Sequence, residues 1–493
     1  MPPADRSSHA RLARVAVIVP VVLVAGLVAA AAEASQGPLA SALQALLSHK
    51  RLVLVAAGVL IVALGTVLIL QRRRRALLGL LAVVLLACTA LGVREFAQRY
   101  PYQGVLDAER IGDAAAILLG TDVRLARYRP EPVLVVDREP VSRAAFPVTD
   151  VHWHLESQTA DITPERLVAA MDAAGVRRIA DLGGLPKEFK QAATTFAARY
   201  PDRFVLFVKP DFAAAVSDPR GLEAGVAEQV RWIEEAARLG AQGIKISKSL
   251  GMGQVDLTGR LVAIDDPRLD PIWSKAADLG MPVLIHTADP EAFFHPADGR
   301  NERLEEMLAS PAWVRHGKPP SREELFAQRA RLLARHPRTN FIGAHLGMQE
   351  DNLAQAAAEL DRFPNYYVDT AAVVHALGRQ PFTARRFFIR YQDRILFGTD
   401  GGYGLVADGP AWTPERLFRS YFEFLETSNE YTEYPLWGTY NQGRWRIYGL
   451  DLPDEVLAKV YAGNADRLIP SREAVAQRLV APGSAPEPAV NGG

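Results

Sequence analysis

Cysteine is almost missing from this chain: Cys88 is the only one, and it sits in an apolar run. A single thiol excludes internal disulfides and cysteine-type zinc sites, so any metal must be held by His, Asp, Glu or a modified Lys. Net charge is missing as well. Lys+Arg 56 equals Asp+Glu 56, so no global field draws the chain to nucleic acid or to an acidic substrate. Charge is also absent, or nearly so, from three N-terminal stretches, residues 15–32, 52–70 and 76–93. At 1.5 Å per residue, a run such as 52–70 is long enough to cross roughly 30 Å of hydrocarbon. The stretches are continuously apolar rather than periodic, which argues against buried core helices.

These stretches read as N-terminal transmembrane helices. The first, followed by Ala32-Glu33-Ala34, also fits a signal sequence, although it is long for one and contains Pro20. Orientation is the same either way. Arg6, Arg11 and Arg14 stay inside, and Arg72-Arg73-Arg74-Arg75 marks a cytoplasmic turn that outweighs His49-Lys50-Arg51 on the other side. The expectation is a multi-pass protein of a bacterial inner membrane, with everything after Arg94 on the extracytoplasmic side. Residues 1–93 form the membrane region and 94–145 a connector, with a short helix at 111–119 and a short strand at 133–136.

From Phe146 the pattern becomes regular. Strands are expected at 146–154, 176–182, 203–209, 243–246, 282–286, 340–345, 366–369 and 394–399. Between them lie helices, the first with Thr163 as N-cap and Pro164 at its first position. Short apolar strands alternating with helices indicate a parallel sheet buried on both faces. Eight regular units over 146–470 favour an α/β fold of the (β/α)8 TIM-barrel type over an open doubly wound sheet. In that fold chemistry sits at the C-terminal ends of the strands. The long insertions, 247–267, 287–321 and 401–452, all follow strands and so fall on that face. Residues 471–493, rich in proline and ending in Asn491-Gly492-Gly493, are expected to be a disordered tail.

The strand ends carry the chemistry. Strand one closes on Asp150, His152 and His154, whose i, i+2 spacing points them to one face. Strand four carries Lys245, strand five ends in His286, strand six in His345 and strand eight in Asp400. Taken singly, each has an ordinary explanation: a hydrogen-bonded core histidine, a turn aspartate before two glycines, a snorkelling lysine. Together they do not. Four of the ten histidines converge with a carboxylate at one barrel mouth, and burying them without a metal or partners would cost several kcal/mol.

The order His-x-His, Lys, His, His, Asp on strands one, four, five, six and eight resembles the amidohydrolase superfamily. More narrowly, it is similar to the amidohydrolase-related group that includes aminocarboxymuconate-semialdehyde decarboxylase. Gly-Ile-Lys-Ile, Asp-Asp-Pro-Arg-Leu-Asp-Pro, Pro-Val-Leu-Ile-His-Thr, Ala-His-Leu-Gly, Val-Asp-Thr, Ile-Leu-Phe-Gly-Thr-Asp and Ala462-Gly463-Asn464-Ala465 fit that group's pattern. The likeness covers residues 146–470 and says nothing of 1–145.

The resemblance implies roles. His152, His154, His286 and Asp400 would hold one divalent ion, Zn²⁺ first among them, and Asp400 would take a proton from the water it activates. His345 would bind a second ion or act as acid/base beside the first. A carboxylated Lys245 would bridge two metals, and Lys248 is its rival just beyond the strand. Hydrolysis of an ester, lactone or amide of a small molecule is the first reading. Decarboxylation or hydration of an aromatic or unsaturated acid is the second, with Lys248, Arg300 and Arg303 as cations for a substrate carboxylate. A membrane-tethered binding protein without catalysis is the third. Aromatic residues crowd the last insertion (Trp412, Tyr421, Phe422, Phe424, Tyr431, Tyr434, Trp437, Tyr440 and Trp445), as a lid over the mouth or as a small core of their own. The sequence leaves the oligomeric state open.

Overall fold

The computed structural model describes residues 132–157, 162–402, 413–434, 442–443 and 445–480. The expected membrane segments, the 111–119 helix, Cys88, Trp412, Trp437, Tyr440 and the last thirteen residues lie outside that set. The chain divides into two compact units, 1–133 and 134–493, and the description below concerns the second. Among the described residues no helix is long and apolar enough to cross a membrane.

Eight parallel strands pair in strict chain order: β1 (Val148–Trp153), β2 (Val176–Asp181), β3 (Phe204–Val208), β4 (Ala241–Ile246), β5 (Val283–Ile285), β6 (Phe341–Gly343), β7 (Tyr366–Asp369) and β8 (Ile395–Leu396). The last strand returns to the first. Val151 N donates to Phe397 O at 2.9 Å, Asp400 N to His152 O at 3.0 Å and His154 N to Gly401 O at 2.8 Å. Those three bonds close a (β/α)8 barrel.

Helices α1 (Pro164–Ala174), α2 (Pro186–Ala192), α3 (Leu222–Arg238), α4 (Asp270–Leu279), α5 (Arg322–Arg335), α6 (Leu353–Arg362), α7 (Pro381–Arg390) and α8 (Pro414–Glu426) alternate with or follow the strands. Their starts obey local chemistry. The Thr163 side chain accepts from Arg166 N ahead of Pro164, and Ser321 and Asn352 cap α5 and α6 in the same way. Inside the barrel Val151, Ala180, Val205, Phe207, Leu284, Ile342 and Leu396 form a buried inner cluster, while a larger one lies between sheet and helices. Burying both faces of every strand explains the unbroken apolar runs.

Two expectations are corrected. Residues 133–136 form no strand. Leu134 and Val135 are exposed, and prolines at 130, 132 and 140 break the segment into which a neighbour would have to pair. The connector instead docks further on, where Glu139 N donates to Asn429 Oδ1 and Asn429 Nδ2 donates back to Glu139 O, both at 2.8 Å. Nor does order stop at residue 471. A helix, α9 (Arg472–Val480), packs against α3 and α4. Val475 is buried, Arg472 donates to Phe204 O, and Arg478 donates to Leu279 O.

The Ala462-Gly463-Asn464-Ala465 motif has a structural task. Asn464 is fully buried and donates through Nδ2 to Gln392 O and Ile395 O, both at 2.7 Å. It thereby holds the start of the shortest strand, β8. Asn464→Ala leaves the buried Ile395 carbonyl and the part-buried Gln392 carbonyl without this donor and should cost about 2–4 kcal/mol. Urea unfolding should show that loss, with metal content in the native baseline unchanged.

Candidate metal centre

His152 in β1 and His154 just beyond it tie the same ring nitrogen, Nδ1, to a carboxylate. His152 Nδ1 binds Asp369 Oδ2 at 2.7 Å, and His154 Nδ1 binds Glu156 Oε1 at 3.0 Å. A carboxylate only accepts, so each Nδ1 carries a proton. Each Nε2 is left facing Asp400 Oδ1, at 3.2 Å in both cases. A histidine whose outer nitrogen is tied to a carboxylate is the usual support of a metal ligand. Among the described residues, two sets of ligand-type atoms each fall within 4.8 Å of one another: His152, His154 and Asp400, and His152, His345 and Asp369.

The remaining expected residues reach the same mouth in different ways. Lys245 Nζ stands 3.5 Å from His152 Nε2. The His345 ring lies 4.8 Å from that of His152 and 4.5 Å from that of His286. His286 falls in neither cluster, but among the described residues its buried Nε2 has no hydrogen-bond partner. An orphaned imidazole nitrogen beside two convergent imidazoles and a carboxylate is a donor set suited to a borderline divalent ion. The residues fit one.

Electrostatics agree. Burial would lower His154, yet Asp400 and Glu156 hold it up at about 9. Burial would raise Asp400, yet His152 and His154 keep it well below the usual carboxylate range. The pocket thus asks for positive charge between those groups. Burial keeps His286 and His345 neutral, the latter down at about 4, and lowers Lys245 to about 8. A lysine so lowered has free amine available near neutral pH.

Some residues were missed from sequence. Asp369, in the Val-Asp-Thr segment at the end of β7, carries no expected role, yet it orients His152 and accepts from His345 N at 2.7 Å. Its position at a strand end was the available signal. Asp150 braces rather than binds: it accepts from His152 N at 3.0 Å, Thr399 N at 3.1 Å and Thr399 Oγ1 at 2.5 Å, tying β1 to β8. Backbone strain collects here too. His345, Leu346, Met348, Ala372 and Asp400 all have φ between 52° and 63°, a left-handed conformation that costs non-glycine residues roughly 1–2 kcal/mol each. Gly398 beyond β8 lets the backbone pass close to His152, since a Cβ there would meet the His152 Cβ at a tight 3.0 Å.

Of the three expected cations, Lys248 is engaged by Asp289 and Arg300 is exposed. Arg303 is buried. Its Nε donates to Glu306 Oε2 at 2.6 Å, its Nη1 lies 3.4 Å from His375 Nε2, and its Nη2 makes no hydrogen bond among the described residues. The described aromatics of the last insertion are largely core: Tyr421, Phe422, Phe424 and Tyr434 are buried.

A family model described as amidohydrolase matches residues 149–470, about two thirds of the chain. The chain belongs to the amidohydrolase family. The order of its strand-end residues already resembled that family. No curated protein matches this amidohydrolase. Among solved structures it is similar to 2,6-dihydroxybenzoate decarboxylase from Rhizobium, at 17% identity over 66% of this chain and 98% of that one, TM-score 0.40. It is also similar to 5-carboxyvanillate decarboxylase from Sphingomonas paucimobilis, at 15% over 67% and 99%, TM-score 0.35. Dihydroorotase from Campylobacter jejuni matches at 12% over 67% and 86%, TM-score 0.36.

Removing the Asp369 carboxylate should loosen His152 without deleting a ligand. Asp369→Asn is expected to weaken Zn²⁺ affinity about 10–100-fold, read by competition with a chromogenic chelator. A second outcome concerns Glu350, whose buried Oε2 has no hydrogen-bond partner among the described residues. Burial and Asp351 raise it from 4.5 to about 7. Its folded-state value exceeds the unfolded one, so stability is retained at low pH and falls as pH rises from about 4.5 to about 7. Glu350→Gln should therefore raise the melting temperature at pH 8 and leave it nearly unchanged at pH 4.

Proposed function

We propose that this amidohydrolase is a metal-dependent hydrolase that uses water to open an ester, lactone or amide of a small molecule. The observation that carries the reading is the convergence of His152 Nε2, His154 Nε2 and Asp400 Oδ1 with both outer ring nitrogens already anchored. His152, His154, His286 and Asp400 would hold one divalent ion, Zn²⁺ first among candidates, and a carboxylated Lys245 would admit a second. When bound, the ion supplies Lewis acidity toward a substrate oxygen and makes water more acidic.

The chain's own groups supply the proton handling. Asp400 stays ionised and is placed to accept a proton from the attacking water. His345 donates Nδ1–H to Ala371 O at 2.9 Å, so its Nε2 is the acceptor nitrogen of a neutral ring, free to receive a proton and pass it to the leaving group. A second reading, decarboxylation or hydration of an aromatic or unsaturated acid, is favoured by one observation. Arg303 is a buried guanidinium whose Nη2 makes no hydrogen bond among the described residues, which suits a substrate carboxylate.

Elemental analysis should find about one ion per chain, lost in His152→Ala. Asp400→Asn should abolish turnover with the circular dichroism spectrum unchanged, and retained activity would refute the mechanism. Assays of Zn²⁺- and Mn²⁺-loaded protein on ester and lactone panels, read by acid release, are expected to respond. Carbon dioxide release from aromatic acids, lost in Arg303→Met, would instead select the second reading. We also propose that residues 15–32, 52–70 and 76–93 anchor the chain in a bacterial inner membrane with the barrel outside. Alkaline phosphatase fused after Arg94 should then be active, and an inactive fusion would reverse the orientation.

A further inference from the structure

The segment leaving β6 turns the wrong way for L-amino acids. His345, Leu346, Gly347 and Met348 are four consecutive residues with φ of 56°, 53°, 65° and 61°. Three of them carry a Cβ, so the turn persists only because its surroundings impose it. From the β7 side, Asp369 Oδ1 accepts from His345 N and Ala371 O accepts from His345 Nδ1. Those bonds hold only the first residue. Within the turn, Gln349 N reaches Leu346 O at a long 3.3 Å.

The other end is held from α5. Arg322 and Arg329 are seven residues apart, two helical turns, and project from one face. Both are buried. Arg329 grips Glu359 with Nε and Nη2 at 2.9 and 2.5 Å and spends its remaining Nη1 on the Gly347 carbonyl at 2.7 Å. Arg322 donates to the next carbonyl, that of Met348, while Glu291 and Asp351 fix its orientation. The Tyr366 ring lies under the Arg329 guanidinium at 5.2 Å, and its hydroxyl occupies the space a Cβ on Gly347 would need, 2.3 Å away. A buried ion pair with Glu359 alone would be poor grounds for keeping Arg329, since apolar replacements of such pairs are often neutral. A planar fork that holds a carboxylate on one edge and a strained carbonyl on the other has no apolar substitute.

We propose that Arg322 and Arg329 are positioning residues: they clamp consecutive carbonyls of the left-handed turn and so fix the direction in which His345 presents its Nε2. The clamp rests on the reading of His345 as a site residue only for its functional consequence. Its existence is testable apart from turnover.

The experiment is hydrogen–deuterium exchange of the full-length protein, with and without Zn²⁺, comparing wild type with Arg329→Met/Glu359→Gln, which leaves no unpaired buried charge. Peptides covering residues 344–350 are expected to exchange about tenfold faster or more, with β5 and β7 unchanged. Where a substrate is turned over, kcat should fall about 100-fold with KM little altered. Wild-type exchange in the turn would overturn the clamp, and so would a uniform loss of protection, which is what a purely structural ion pair predicts. If the double variant does not fold, Arg322→Gln is judged by the same two criteria. Local loosening with unchanged kcat would keep the clamp and remove His345 from the mechanism.

Discussion

One buried carboxylate, that of Asp369, carries more of this site than any ligand does. It lies fully buried at the end of β7, holds the His152 Nδ1 proton with one oxygen and the His345 amide with the other. Burial works against its charge, and His152 is the first of the neighbours that keep it ionised. A charge so deep survives only when it is matched on several sides. His152 therefore presents Nε2 to the mouth, the turn after β6 starts where it must, and the two clusters of ligand atoms share His152 between them.

The barrel and the strand ends were legible because the signals were local. Strand positions followed from short apolar runs, the first helix start from Thr163 and Pro164, and the mouth from the rule that parallel strands end at the chemistry. What could not be read was relational. Which histidine ring His286 would meet depends on side-chain direction across the barrel, and its ring lies 4.5 Å from that of His345. Arg303 and Arg300 look alike in a loop sequence, and only packing buries one and exposes the other. Asp369 was visible at a strand end but has no spacing partner in sequence, since its neighbours come from β1 and β6. The helix at residues 472–480 was hidden by the proline-rich composition that follows it.

The site also shows where stability is given up. Left-handed residues at His345, Ala372 and Asp400, together with orphaned polar atoms on His286, Gln349 and Glu350, occur on the loops at one end of the barrel. Along the strands beneath, apolar side chains fill the interior. An enclosed scaffold of this kind tolerates strain at its rim because the strands beneath do not yield.

The bonds that close the barrel have a bearing on how the protein comes into being. Asp150 and Thr399, joined by hydrogen bonds, are 249 residues apart, and the backbone of His152 accepts from Asp400 itself. The first ligands to leave the ribosome thus wait for nearly the whole barrel to be synthesised before their last partner exists. A growing chain offers a metal two histidines and no enclosing carboxylate. The complete set of groups that could hold an ion therefore comes together only when β8 closes against β1.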